Sequence, residues 1–488
     1  MRGAAPGFAG GSGRPLPPAA SGPAYITGIA SDSTTGGYFH DQYGQPRFLM
    51  MDNPWAIIFN AGEWNGGDWR ADMSAYLTSK QAQGYTGAYC SAIGNLDNDG
   101  SYNNGNTWDN VPPFTGGGHP DAGLNNAYWQ RVDYFISTAA ACGITVLLNI
   151  AYTADGSSGN GNFASGAALD PATTTAAMYA DYGTAVAQRY ASAKNLIWMF
   201  GNDYYATVET QFGEIWSAVT ATGDTHAMSV HVYPESDDRY DFENTSYGSS
   251  GSGFAAANAQ WMWVYTYNVT YFGIEQSYGE HAAKGVPMLF AMWGDGFFFD
   301  VGGLNITNDQ MIRQMAWWTL ASGGRGMTGT SNDVWPWSSV SLSDSQTQNW
   351  YANVAGKVRA AYEALPGWHR LVPDTSSALV TAGRGTRSPG IASGSLYDGG
   401  TDNYVAASRT PDTGGGSQLA VIYGAKAWNI TIDQTKMASS YTPTWIDPAT
   451  GAAYAGTKGS TYNSGAADGS KPVSNSQGDP DWVLALKA

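Results

Sequence analysis

The side chains best suited to chemistry in this sequence follow short apolar runs. The clearest case is LIWMFGND at residues 196–203, where an apolar run ends in Asn202 and Asp203. A carboxyl group beside an amide at a strand end can exchange a proton and hydrogen-bond a hydroxyl group. The alternative interpretation is that Asp203 caps the following helix, because Asp is a favoured N-cap residue. We expect Asp203 to be catalytic, as an acid/base.

Similar polar and aromatic residues lie at the ends of the other apolar runs or just after them. The candidates for substrate contact are Asp52, Trp55, Asn202, His231, Tyr267, Trp293, Asn332, Asp333 and Trp335. Flat aromatic rings can stack on a sugar ring while amides and carboxylates bind its hydroxyl groups. Two carboxyl groups can hydrolyse a glycosidic bond, one protonating the leaving oxygen and the other attacking the anomeric carbon or activating water. We therefore expect an oligo- or polysaccharide partner, with no cofactor and no metal.

Eight apolar runs of strand length alternate with amphipathic stretches and must position these residues. The runs cover residues 48–51, 87–92, 144–150, 196–200, 227–232, 262–267, 287–292 and 326–330. The helical stretches cover residues 69–83, 127–141, 173–193, 209–220, 309–322 and 343–364. This alternation predicts an α/β fold, a (β/α)8 TIM barrel, whose active site lies at the C-terminal ends of the strands. An open doubly wound sheet is the alternative, but no Gly-x-Gly-x-x-Gly follows the first run and no P-loop occurs.

Changes in amino-acid composition and hydrophobic pattern divide the chain into three parts. Residues 1–34, which begin rich in Gly, Pro and Ala, are predicted to be a flexible leader, and residues 35–368 the catalytic barrel. Residues 370–488 contain short β-branched segments between Gly-, Asp- and Ser-rich turns. That pattern predicts a small C-terminal antiparallel β-sandwich.

The composition excludes some partners. With 40 acidic against 23 basic residues the net charge is -17, which disfavours nucleic acid and anionic membranes. No apolar run approaches the roughly 18 residues needed to span a bilayer, so we expect no membrane insertion.

Cys90 and Cys142 lack metal-binding spacing, and we expect two buried thiols, although a disulfide is the alternative. The acidic, Lys-poor composition suggests a secreted or periplasmic bacterial protein, and the oligomeric state stays open.

Several segments together resemble the apiosidase-like glycoside hydrolases. They are GYFHDQYGQPRFLMMDNPW at 37–55, LIWMFGND at 196–203, RQMAWW at 313–318, WIDPATG at 445–451 and DWVL at 481–484. The resemblance covers nearly all of residues 35–488. It implies a retaining arrangement, with an acid/base after the fourth barrel strand, where Asp203 falls, and a nucleophile after the seventh. It also implies a C-terminal domain named for collagen binding.

One position departs from the family pattern. The family usually ends the seventh strand with Glu, whereas this chain has Met292, which can neither attack nor ionise. Asp295 in WGDG at 293–296 is the nearest carboxylate and our candidate for the second catalytic residue, with Glu235 as the alternative. Three loops, at 95–121, 153–170 and 235–258, could close the cleft into a pocket. We therefore expect an exo-acting, retaining hydrolase of plant or microbial polysaccharide.

The missing Glu keeps other functions open. A non-catalytic carbohydrate-binding protein on a degenerate barrel needs the same aromatic, Asn-rich cleft but not two carboxylates across it. A structural or adhesive surface protein would use the C-terminal sandwich instead. A lyase is less favoured, because no basic group clusters at the strand ends to hold uronate carboxylates.

Overall fold

The computed structural model describes most of the chain. The described residues are 22–94, 105–116, 119–153, 161–163, 165–204, 208–232, 258–265, 269–281, 284–291, 308–329, 334–347, 354–388 and 403–488. Within these ranges no helix combines the length and apolarity needed to cross a membrane. Both cysteine thiols are free, Cys90 buried and Cys142 partly buried.

The first ten strands comprise an N-terminal hairpin and a barrel. The hairpin contains β1 (Ile26–Ala30) and β2 (Tyr38–Asp41). The barrel contains β3 (Leu49–Asp52), β4 (Gly87–Ser91), β5 (Thr145–Ala151), β6 (Leu196–Tyr204), β7 (Met228–Val232), β8 (Met262–Tyr265), β9 (Met288–Ala291) and β10 (Gly326–Gly329). Strands β3, β4, β5 and β8 are buried at every position, because helices cover one face and the barrel interior covers the other.

The barrel strands run parallel in the order β7-β6-β5-β4-β3-β10-β9-β8. The two end strands meet at a seam, where the Gln260 N–H donates to the Met228 carbonyl at 3.0 Å and Ser229 Oγ donates to the Trp261 carbonyl at 2.6 Å. Each predicted apolar run overlaps one of these strands. The predicted (β/α)8 barrel is therefore confirmed.

Helices follow the barrel strands and cover the sheet. They are α1 (Ile57–Asn60), α2 (Trp69–Gln83), α3 (Asn126–Ala141), α4 (Ala176–Tyr190), α5 (Glu209–Ala221), α6 (Thr270–His281), α7 (Asn308–Ala321), α8 (Ser341–Thr347) and α9 (Gly356–Glu363). Helix α2 begins where Asp68 Oδ1 accepts the Ala71 N–H at 3.0 Å, and it ends at Gly84, whose φ is 85°. The predicted helix at 343–364 corresponds to α8 and α9, and residues 348–353 lie outside the described ranges.

The hairpin covers the N-terminal end of the barrel. Ile26 is fully buried and its N–H donates to Oγ1 of Thr145, the first residue of β5, at 2.7 Å. The ring of Phe39 contacts that of Trp261 with centroids 5.8 Å apart. The prediction of a flexible leader over residues 1–34 is thus wrong for β1, because the barrel buries Ile26 and β2 pairs with the backbone of β1. Residues 1–21 lie outside the described ranges.

The C-terminal region forms two packed antiparallel sheets. Their strands are β11 (Val372–Pro373), β12 (Val380–Ala382), β13 (Val405–Arg409), β14 (Leu419–Gly424), β15 (Asn429–Ile432), β16 (Thr442–Ile446), β17 (Ala453–Ala455), β18 (Thr461–Asn463) and β19 (Trp482–Lys487). A six-stranded sheet has the order β11-β13-β14-β19-β16-β17, and a three-stranded sheet has the order β12-β15-β18. Trp428, Trp445 and Trp482 lie in the core between the sheets. The predicted sandwich is confirmed.

Candidate active site

Strand β6 carries a bulge where the acid/base is predicted. Gly201 pairs with His231 and Tyr204 pairs with Val232, so Asn202 and Asp203 have no counterpart on β7. Asn202 has a φ of 125°, a conformation that non-Gly residues rarely adopt, and its carbonyl accepts from Thr153 Oγ1 at 3.0 Å. Bulges redirect side chains and are frequent beside active sites. The backbone of Asp203 lies in this bulge, and its side chain is outside the described part of the structure.

A hydrogen-bond chain crosses the barrel interior just before the bulge. The Tyr89 hydroxyl is 3.2 Å from His231 Nδ1 and accepts from Asn149 Nδ2 at 3.1 Å. The same Asn149 amide donates to the Gly201 carbonyl, and Asn149 Oδ1 accepts the Ala151 N–H at 3.0 Å. All three side chains are buried. The chain joins β7, β4, β5 and β6, and so ties the bulged strand to its neighbours.

His231 is a neutral group at physiological pH. Burial lowers its pKa to about 3. Its ring lies 4.5 Å from the Trp263 ring and 5.2 Å from the Tyr265 ring, measured between centroids. A neutral imidazole can donate from one nitrogen and accept at the other, which suits a hydroxyl group. Substrate binding by His231 stays a prediction.

Two of the four predicted stacking rings lie in the described ranges. The Trp55 ring is 2% exposed and lies between Tyr89 and Tyr152, with centroids 5.1 and 4.7 Å away. Trp335 is partly buried, and its carbonyl accepts the Ala56 N–H at 3.0 Å. That bond connects the loops that follow β3 and β10. Trp55 therefore forms part of the wall beneath the barrel mouth, while Trp335 keeps an accessible surface.

Asp52 points away from the mouth. Its carboxylate is fully buried, 3.1 Å from Lys80 Nζ, and accepts from the Tyr76 hydroxyl at 2.8 Å. Both partners belong to α2. Burial lowers the pKa of Lys80, and the charge of Asp52 partly opposes that change. Because Asp52 has no exposed surface, the predicted substrate contact is wrong for this residue. We assign it a positioning role instead, since its Oδ1 accepts the Asn53 N–H at 2.9 Å, at the start of the loop that carries Trp55.

The remaining predicted site residues lie outside the described ranges: they are Tyr267, Trp293, Asp295, Asn332 and Asp333, together with Met292 and Glu235. Their predicted roles stay predictions. Within the described residues, no three His, Cys, Asp or Glu side chains form a group that could hold a metal ion.

Sequence reasoning overlooked Tyr89 and Trp263. Both lie inside buried strands, whereas the predicted site residues lie at the C-terminal ends of the strands or just after them. Tyr89 stands among small residues in GAYCS, and a large phenol in such a strand is the signal that could have identified it. A buried Tyr hydroxyl normally requires a hydrogen-bond partner.

Comparisons with known proteins agree with this geometry. Residues 33–365 match the family model "Apiosidase-like, catalytic domain", and residues 396–487 match "Putative collagen-binding domain of a collagenase". No curated protein matches the chain. A solved structure titled glycoside hydrolase has a TM-score of 0.63 at 15% identity, covering 96% of this chain and 97% of its own. A glycoside hydrolase family 5 structure from Bacteroides vulgatus has the same TM-score and identity, with 96% and 93% covered. These two likenesses show the fold, and the family model covers most of the chain. The chain therefore belongs to the apiosidase-like family of glycoside hydrolases.

Proposed function

We propose that this enzyme removes terminal sugars from a plant or microbial polysaccharide with retention of configuration, using Asp203 as the acid/base. The observation that carries the proposal is the bulge in β6, which leaves Asn202 and Asp203 unpaired at the C-terminal end of a barrel strand. Residues at this end of the strands form the active site of (β/α)8 enzymes.

The hydrogen-bond chain that reaches the bulge is made of neutral groups. Its side chains are the Asn149 amide, which bonds the Gly201 carbonyl, the Tyr89 phenol and the His231 ring. None of these three carries a positive charge that would favour the ionised carboxylate. A general acid needs a raised pKa to be protonated near neutral pH, and neutral surroundings that exclude water raise it.

The acid/base role is tested with Asp203→Asn. We expect kcat/KM on unactivated glycosides to fall by at least about 10²-fold, because Asn cannot protonate the leaving oxygen. Substrates whose leaving group needs no protonation should lose less in the first chemical step. Asp181→Asn, the same change at an exposed position on α4, is the matched control and should retain activity. Full activity of the Asp203→Asn enzyme would remove this residue from the mechanism.

We propose Asp295 as the nucleophile, with Glu235 as the alternative. The support is that Met292 occupies the position where the family usually has Glu, and that Gly294 and Gly296 permit a bent backbone around Asp295. In Asp295→Ala, azide should restore turnover and yield a glycosyl azide of inverted configuration. Full activity of Asp295→Ala, with loss in Glu235→Ala, would transfer the role to Glu235.

Proton NMR of the first sugar released by the parent enzyme tests retention, and release of monosaccharide alone tests exo action.

A further inference from the structure

Trp64 is a large aromatic residue whose side chain is exposed to solvent. Trp64 is 58% exposed, whereas Trp55, nine positions earlier, is 2% exposed. Among the described residues, the other exposed large apolar side chains are Val340 and Val473. An exposed indole forgoes the stabilisation that burial gives to a large apolar ring. Trp64 is therefore the described aromatic residue most available to a ligand.

The loop that carries Trp64 lies at the rim of the barrel mouth. Residues 61–68 connect α1 to α2 after the C-terminal end of β3. Trp108, in the connection after β4, donates from its backbone N–H to the Phe59 carbonyl and from Nε1 to the Ala61 carbonyl, both at 2.9 Å. Asn60 Nδ2 donates to the Pro336 carbonyl, in the connection after β10, at 3.0 Å. Since β4, β3 and β10 are neighbours, these three connections form one side of the rim.

The base of this loop is anchored. Asp72, a buried residue of α2, accepts the Gly62 N–H at 2.8 Å and also accepts from the Asn65 side-chain amide. The Gly67 N–H donates to the Gly62 carbonyl at 2.9 Å. Gly66 and Gly67 have φ values of 81° and 96°, which favour glycine, and no atom lies within 4 Å of where their Cβ atoms would be. The turn that carries Trp64 is therefore anchored at its base, and space is open beside it at Gly66 and Gly67.

We propose that Trp64 is a stacking platform for a sugar unit of the polysaccharide chain that projects out of the active site, an accessory subsite on the β3 side of the rim. The inference rests on the proposed function, because it assumes a polymeric carbohydrate substrate. A preorganised ring loses little conformational freedom when a ligand stacks on it. Its sequence neighbours are polar or lack side chains, so the surface offers one flat ring amid hydrogen-bonding groups. That arrangement fits a sugar better than the contiguous apolar patch of a protein interface.

The test compares Trp64→Ala with the parent on long and short substrates. The long probes are soluble pectin, xyloglucan and galactomannan, and the short ones are 4-nitrophenyl glycosides of the sugars they contain. We expect kcat/KM on the polymer that the parent cleaves to fall about 3- to 10-fold, the scale of a lost ring-stacking contact, through KM. Activity on the short glycoside should not change. Trp64→Phe should recover part of the loss, and Val473→Ala, which trims an exposed apolar side chain of the sandwich, should behave as the parent.

The other outcomes distinguish a failure of the platform from a failure of the proposed function. Unchanged kcat/KM of Trp64→Ala on the polymer would overturn the inference while the proposed function stands. Equal losses on long and short substrates would overturn it too, since they indicate a distorted active site. If the parent cleaves no glycan, the proposed function fails, and affinity gel electrophoresis in the same three polymers decides the inference. There, retardation of the parent that Trp64→Ala abolishes supports the platform, and equal migration of the two proteins refutes it.

Discussion

At the scale of single residues, packing changes the ordinary acid–base chemistry of His231. It lies inside the barrel between the Trp263 and Tyr265 rings, and Nδ1 is 3.2 Å from the Tyr89 hydroxyl. Because burial holds the pKa near 3, the ring stays neutral where an exposed His would titrate. The site thus has a hydrogen-bonding imidazole whose charge does not vary in the working pH range.

This low pKa predicts acid sensitivity with a definite sign. In the unfolded chain His231 has its ordinary pKa of 6.5 and is protonated below that pH. In the folded chain it stays neutral down to about pH 3, so protons favour the unfolded state in this range. The stability is therefore fully present above about pH 6.5 and is lost as the pH falls toward 3. Relative to His231→Gln, we expect the parent to lose about 3 kcal/mol between pH 7 and pH 4. Urea unfolding over that range measures the difference.

The control for this experiment is His119→Gln, because His119 is exposed. That variant should lose stability with falling pH in parallel with the parent. If His231→Gln also ran parallel to the parent, His231 would have to be charged in the folded protein, contrary to its burial.

At the scale of elements, α2 and β3 are joined by a buried ion pair. Lys80 Nζ lies 3.1 Å from the Asp52 carboxylate, donates to the Ser345 carbonyl of α8 at 3.1 Å, and lies 4.8 Å from the Tyr85 ring centroid. Both ionic side chains are fully buried. Such a pair contributes little net stability over apolar residues of the same volume, but losing one partner leaves a buried charge unpaired. The pair therefore orients α2, α8 and the loop that carries Trp55.

We expect Asp52→Asn and Lys80→Met each to lower the free energy of unfolding by about 3–5 kcal/mol. The double variant should lose much less than the sum, because neither charge is then left alone. Guanidinium unfolding of the four proteins gives the coupling free energy. Additive losses would show that the two groups do not form a pair.

At the scale of the whole molecule, the sandwich is bound to the barrel by buried polar groups. Arg313 of α7 is fully buried and donates to the Asp481 carboxylate from Nη2 at 2.8 Å and from Nε at 3.1 Å. On α6, Glu275 accepts from Arg387 Nε at 3.0 Å and from the Tyr404 hydroxyl at 3.1 Å. Helices α6 and α7 flank β9 in the chain, the strand before Asp295. We infer that the sandwich supports this side of the barrel.

This interface predicts that the two domains unfold together. Arg313→Met removes the cationic partner of the buried Asp481 carboxylate and should lower the free energy of unfolding by about 3–5 kcal/mol. The control is Arg189→Met, which removes a partly exposed ion pair with Asp133 on the barrel surface and should change stability by at most about 1 kcal/mol. Calorimetry should show one transition for the parent. Two transitions in the parent, or equal effects of the two variants, would contradict a supporting role for the sandwich.

The amino-acid pattern by itself determined the architecture. Eight short apolar runs alternate with amphipathic stretches, and a barrel strand lies at each run. The apolar character and the short length of a run are enough to favour a strand over a helix. The bounds of α2 agree with the predicted 69–83 because Asp68 and Gly84 terminate the helix locally. The order of the strands followed from the alternation, since consecutive parallel strands with intervening helices pair as neighbours.

Only the tertiary structure decided which way individual side chains point and what they meet. A barrel strand is apolar on both faces, so its sequence does not reveal whether a polar residue at its end faces the mouth or the outer helices. For that reason Asp52, predicted to contact substrate, instead faces Lys80 on α2. The bulge at Asn202 and the meeting of Tyr89 with His231, 142 positions apart, depend on register across strands, which no local pattern encodes. Likewise β14 is buried at every position, and only the tertiary structure shows that one face of the strand packs in the sandwich core and the other against α7.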